Sequence, residues 1–216
     1  MNKETTIIGS IALGVIAVFV GFALSSNKSS ADITGGTKVD NTVLIRESSH
    51  KSTADLKSVT LVEFGDYQCP ACGAAHPAIK QIANEYKDKV TVIFRNFPLP
   101  QHGNALITAE AAEAAADQGK FWEMHDKLYE NQAQWSNNTQ ALDLMTNYAK
   151  DLGLNQAQFK QAVEQKKFED RIMADLHDGE TLGVNATPTI FINGVKFTAP
   201  ATYQNLKQAL DAALQS

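Results

Sequence analysis

Two cysteines, Cys69 and Cys72, are the only thiols in 216 residues, and two residues separate them. They close the run Glu63-Phe64-Gly65-Asp66-Tyr67-Gln68-Cys69-Pro70-Ala71-Cys72. Residues 59–64 are β-prone and largely apolar, and Ser58 and Gly65-Asp66 flank them, so they predict a short buried strand. Residues 74–86 carry Ile79, Ile82 and Tyr86 at helical spacing. Pro70 suits a first helical turn, where its missing N–H costs nothing. Cys69 then stands at the helix N-terminus, where unpaired N–H groups and the macrodipole favour a thiolate. Cys72, one turn inside, is shielded and suits a resolving thiol. The competing readings are an inert structural pair and a zinc site. Cys69, Cys72 and His76 form C-x2-C-x3-H, but the local sequence supplies no fourth ligand. No metal or organic cofactor is expected.

Glu63 is an unusual neighbour for this pair. Strand alternation puts it on the face of Val59 and Leu61, while Val62 and Phe64 mark the opposite face as buried too. A carboxylate so enclosed has a raised pKa; the alternative is an exposed glutamate on an edge strand.

The net charge of −5 and charged content of 20% name no nucleic-acid partner. Hydrophobic residues make up 44%, ample for a packed core. A scaffold stapled by disulfides needs more than one close pair, so the fold stands on its core and the pair is free for chemistry.

Residues 6–24 hold no charge and are almost wholly apolar, and as a helix they span about 28 Å, close to a bilayer's hydrocarbon thickness. Residues 1–24 are therefore read as an uncleaved membrane anchor; a cleaved signal peptide, with Ser29-Ser30-Ala31 as its cleavage site, is the alternative. Lys3 and Glu4 on one side and Lys28 and Lys38 on the other give no orientation by charge. A lone redox pair behind a secretory-type segment fits an oxidising compartment, so the body is expected outside the cytoplasmic membrane. Residues 25–42, rich in Ser, Gly, Asn, Thr and Lys, read as a flexible tether with a reach of roughly 20–25 Å.

Along the remaining chain, Val43-Leu44-Ile45 predicts a first strand and residues 90–94 a strong one. Pro77 is expected to kink the helix after the cysteines. From 104 to 183 the pattern is helical throughout, with Gly119 and Gly153 as stops and Asn155 with Gln158 as a capping box. Residues 189–192 and 195–197 flank Asn193-Gly194, a strong hairpin signal. A final helix, about 202–214, presents Leu206, Ala209, Leu210 and Ala213 on one face.

From Ser58 to the C-terminus the sequence resembles the DsbA-like branch of the thioredoxin superfamily. The resemblance rests on four features in order. They are the strand-to-Cys-Pro-Ala-Cys segment; Arg95-Asn96-Phe97-Pro98-Leu99 with His102; Gly119-Lys120-Phe121-Trp122; and Ala186-Thr187-Pro188-Thr189 ahead of the hairpin. It implies a thioredoxin fold, a central mixed β-sheet flanked by helices, with an inserted all-helical domain. The expected division is anchor 1–24, linker 25–42, first part of the fold 43–103, helical insertion 104–183, and second part 184–216. Cys69 is then the attacking thiol and Cys72 the resolving one. Glu63 is the acid that exchanges a proton with Cys72. Pro188 is cis and faces the disulfide, and Thr187 offers its backbone to an extended substrate.

Two departures stand out. Ala71, in the dipeptide Pro70-Ala71, takes the place of the histidine of the best-known oxidases of this branch. Pro77 resembles plain thioredoxins. The resulting expectation is an extracytoplasmic, monomeric dithiol oxidase acting on exported cysteine-containing proteins, with a quinone-linked or electron-donating membrane partner. A reductase or isomerase, and a tethered peptide-binding or chaperone module, are the alternatives.

Overall fold

A computed structural model describes residue 36 and residues 38–216. The anchor read at 1–24 lies outside the described residues. Among those described, no helix is long and apolar enough to cross a membrane.

The described chain opens with a short helix α1 (Asn41–Leu44) and a short strand β1 (His50–Lys51), then β2 (Val59–Gly65), α2 (Pro70–Glu85) and β3 (Val90–Asn96). A helical stretch follows: α3 (Ala105–Ala116), α4 (Phe121–Glu130), α5 (Gln132–Trp135), α6 (Ala141–Asp151), α7 (Gln156–Glu164) and α8 (Glu169–Thr181). The chain ends in β4 (Thr189–Ile192), β5 (Val195–Phe197) and α9 (Tyr203–Ala213). The strands form one five-stranded sheet in the order β1-β3-β2-β4-β5. β2 and β3 are parallel and the other pairs antiparallel.

Period-two alternation divides the sheet's side chains between two cores. Val59, Leu61, Val90, Val92, Ile190 and Ile192 pack under α2 and α9. Val62, Phe64, Ile93 and Phe191 face the other way, toward Phe97, Leu44 and the apolar side of α8. A third core, around Met124, Leu128, Trp135, Met145 and Phe159, belongs to the helical insertion and reaches Tyr67, Phe94 and both cysteines.

Three expectations change. Val43-Leu44-Ile45 is not a strand: Asp40 accepts from the Thr42 N–H at 2.8 Å and starts α1, which a local cap favours over a strand with no partner. The tether expected to run to 42 ends earlier, because Val39 N–H donates to Gly194 O at 2.9 Å and ties this stretch to the hairpin turn. The block read as one insertion from 104 to 183 divides in its packing. α8 lies on β3, where Arg95 binds Asp175 and Asp178, and covers the sheet. α2 runs through Pro77 as one helix. Asn193 and Gly194 both take positive φ, 48° and 83°, as a two-residue turn between β4 and β5 requires.

Candidate active site

Cys69 is the N-cap of α2, extended at φ −68° and ψ 122°, with Pro70 in the first turn. Cys69 is 7% exposed, against 0% for Cys72 one turn inside. Both cysteines are free thiols. Pro70 and Ala71 are exposed, so the dipeptide between the thiols presents no side-chain donor.

The turn that delivers Cys69 is fixed from several sides. Asp66, buried, accepts from Gln68 N–H at 2.7 Å, from Leu99 N–H at 2.9 Å, and meets His102 Nδ1 at 2.6 Å. Cys69 N–H donates to Asp66 O at 3.1 Å. From the insertion, Gln132 Nε2 donates to Tyr67 O at 2.6 Å and to Cys69 O at 2.9 Å. Gln68 Nε2 donates to Ser136 O at 2.6 Å. Asp66, Gln68, His102 and Gln132 are the positioning residues that sequence reasoning passed over. Asp66 carried a local signal, an aspartate able to bond the backbone two residues on. Gln132 carried none, because its partners are more than sixty residues away.

The Thr187–Pro188 bond is cis. Across from α2, the Cys69 thiol donates to Thr187 O at 3.3 Å. The Thr187 hydroxyl, in the same turn, is buried without a partner. A thiolate cannot donate, so on ionisation Cys69 exchanges the carbonyl bond for donors such as this hydroxyl. The Cys72 thiol, above all, lowers the Cys69 pKa to about 5, with Thr187 and the N–H groups of Cys72 and Ala71 adding to it. Burial pushes Cys72 far the other way, followed by its bond to Cys69 and the nearby Glu63 carboxylate. Two thiols of one pair are thus driven apart by position alone.

Glu63 is 3% exposed on the α2 side of β2, and its Oε1 has no hydrogen-bond partner. Burial first, then the Cys69 thiolate, raises its pKa to about 8. At neutral pH it is a carboxylic acid with one proton to supply. Beside the thiols, Ala71, Ala74, Pro188, Ile190, Phe197 and Pro200 line an open, mostly apolar groove of about 410 Å³. His125 and Trp122 belong to the insertion's aromatic cluster. Arg95 lies at the far face, bound to α8.

The thioredoxin family model matches residues 56–212. The Na(+)/H(+) antiporter NhaA 1 of Mycolicibacterium vanbaalenii is 38% identical over 159 residues, 71% of this chain but 25% of that protein. This chain therefore spans about a quarter of that relative's length. Oxidised BdbD from Bacillus subtilis superposes with a TM-score of 0.72 at 24% identity, covering 85% of this chain and 99% of that one. Wolbachia pipientis alpha-DsbA1 gives 0.72 at 21% identity, covering 81% and 95%. With the match running from β2 through the dithiol and the cis-proline turn into α9, the chain belongs to the thioredoxin family, and its fold is that of the DsbA-like members.

Proposed function

We propose that this chain is a membrane-anchored protein thiol–disulfide oxidoreductase that works outside the cytoplasm as a dithiol oxidase. The observation that carries the reading is the contrast within the pair. Cys69 is acidic, at about 5, at a helix N-terminus beside the cis-Pro188 turn, and Cys72 is buried behind it with a strongly raised pKa.

In the oxidised enzyme, a substrate thiolate attacks the Cys69 sulfur and the Cys69–Cys72 bond breaks. Cys72 leaves with the electron pair and takes a proton, for which neutral Glu63 is the nearby acid. The mixed disulfide on Cys69 is then attacked at the substrate sulfur by a second substrate thiolate. Cys69 leaves as a stabilised thiolate, and a good leaving thiol makes that step fast. The substrate dithiol has become a disulfide and the enzyme disulfide a dithiol, so a membrane-linked electron acceptor must reoxidise the pair.

The groove beside Pro188 supports an extended, largely apolar substrate segment in an exported cysteine-containing protein. The apolar run at 6–24 supports the anchor and, with it, a substrate encounter near the membrane surface.

The test is the reduction potential of the pair in the full chain, together with the pH profile of Cys69 alkylation. An oxidase gives a potential well above the roughly −270 mV of thioredoxin and an alkylation midpoint near 5. A thioredoxin-like potential with a midpoint near 7 would replace this reading with a reductase. Substrate binding that persists with both cysteines changed to serine, without any turnover in the wild type, would leave only a binding module.

A further inference from the structure

Behind the dithiol, α2 and α4 bring three metal-ligating side chains together that the exchange reaction does not use. His76 leaves α2 one turn after Cys72, and His125 and Asp126 leave α4. One donor atom from each lies within 4.8 Å of the other two. His76 is 5% exposed, and its Nε2 has no hydrogen-bond partner although Asp126 Oδ1 is 3.4 Å away. A buried ring nitrogen aimed at a carboxylate without bonding it is an acceptor or donor waiting for a third party.

The surroundings hold each member in place. Tyr67 Oη, 3.1 Å from His125 Nδ1, fixes that ring. Lys80 Nζ lies 2.8 Å from Asp126 Oδ2 and 2.7 Å from Glu130 Oε1, which leaves Oδ1 turned toward His76. Outer partners of this kind are how ligating side chains are oriented around metals. Asp126, 30% exposed, gives the otherwise buried cluster a route to solvent.

We propose that His76, His125 and Asp126 form a binding site for a first-row divalent cation of the zinc type, bridging α2 and α4. Two imidazoles and one carboxylate suit zinc and its neighbours, whereas calcium and magnesium take all-oxygen sets. Three protein ligands leave a fourth tetrahedral position for water. The C-x2-C-x3-H arrangement suggested by the sequence does not assemble among the described residues, and His76 joins the α4 pair instead. The ion would tie the helix that carries Cys72 to the helical insertion.

Zn²⁺ is the probe. The full chain, free of any histidine tag and in its disulfide form so that no thiol competes, is titrated against a chromophoric chelator. One equivalent is expected to bind, and His76→Gln and Asp126→Asn should each lower the affinity by about tenfold or more. X-ray absorption at the zinc edge should show two imidazole ligands. Asp126 is partly exposed, so the fold of Asp126→Asn can be verified by an unchanged thermal midpoint in chelator. An absence of stoichiometric binding, or wild-type affinity in either variant, overturns the site.

Discussion

Cys69 and Glu63 titrate in opposite senses, and their pH effects on the reduced protein should cancel. Cys69 has a folded pKa of about 5 against an ordinary 9.0, so it stabilises the fold above 9 and that stabilisation is lost as pH falls through 5. Glu63 has a folded pKa of about 8 against 4.5, so its contribution is complete below 4.5 and is lost as pH rises through 8. Between about 5 and 8 the unfolded chain holds a proton on Cys69 and the folded chain holds one on Glu63, so the proton counts match. Burial lowers His125 and His76 and raises Glu110 to about 7, so these groups give the reduced wild type a slope of its own in that window, to which the Cys69–Glu63 pair adds little. Measured against the wild type, Glu63→Gln should add a slope of about +1.4 kcal/mol per pH unit, and Cys69→Ser a slope of similar size and opposite sign. Denaturant melts of the reduced proteins at pH 5.5, 6.5 and 7.5 read this directly. Parallel slopes in the two variants would show that the two groups do not titrate as a compensating pair.

α8 illustrates how a whole helix is placed by its smallest residue. A Cβ built on Gly179 would lie 2.7 Å from the Phe97 ring and 3.0 Å from the Phe64 ring. Those rings pack edge to face at 6.2 Å between two buried surfaces, so neither can retreat. In an exposed helix, glycine to alanine gains about 1 kcal/mol from propensity. Here the clash outweighs it, and Gly179→Ala should destabilise the protein by about 1–3 kcal/mol in denaturant melts. A gain in stability would mean that α8 has room to slide on the sheet. The same helix explains why the block after 104 looked uniform in sequence. Its Ile172 and Leu176 repeat like those of its neighbours, and the periodicity does not say which surface they meet.

Across the molecule, Arg95 joins β3 to α1 at the beginning of the described fold and to α8. It is 0% exposed on β3, yet binds Asp175 at 2.6 Å and Asp178 at 2.6 Å on α8, and the carbonyls of Val43 and Leu44 at 3.0 and 2.8 Å. Arg46 also holds Asp178, so removing Arg95 strands Asp175 in particular. Arg95→Met should cost about 3–5 kcal/mol, the penalty of an uncompensated buried charge. Adding Asp175→Asn removes that charge and keeps an acceptor for Asn96 N–H, so the double variant should regain part of the loss in thermal unfolding. No recovery would show that the arginine's bonds to α1, rather than the ion pair, carry the cost.

By itself the sequence determined the dithiol and its helix start, the strands at 59–64 and 90–94, the Asn193-Gly194 hairpin and the final amphipathic helix. Each depends on neighbours a few residues apart: period-two or helical apolar spacing, a proline tolerated in a first turn, and two residues able to take positive φ. It also placed Glu63 between two apolar faces, which is why its enclosure was legible. Only the tertiary structure decided what lies opposite these elements. Thr187 meets Cys69 across 118 residues of chain, Gln132 pins the active-site turn from the insertion, and Asp175 reaches back to Arg95. Such contacts follow from how helices and sheet dock, a choice made by summed apolar burial that no local window contains. The same is true of His76, which the sequence pointed toward the cysteines, and His125, joined only where α2 packs on α4.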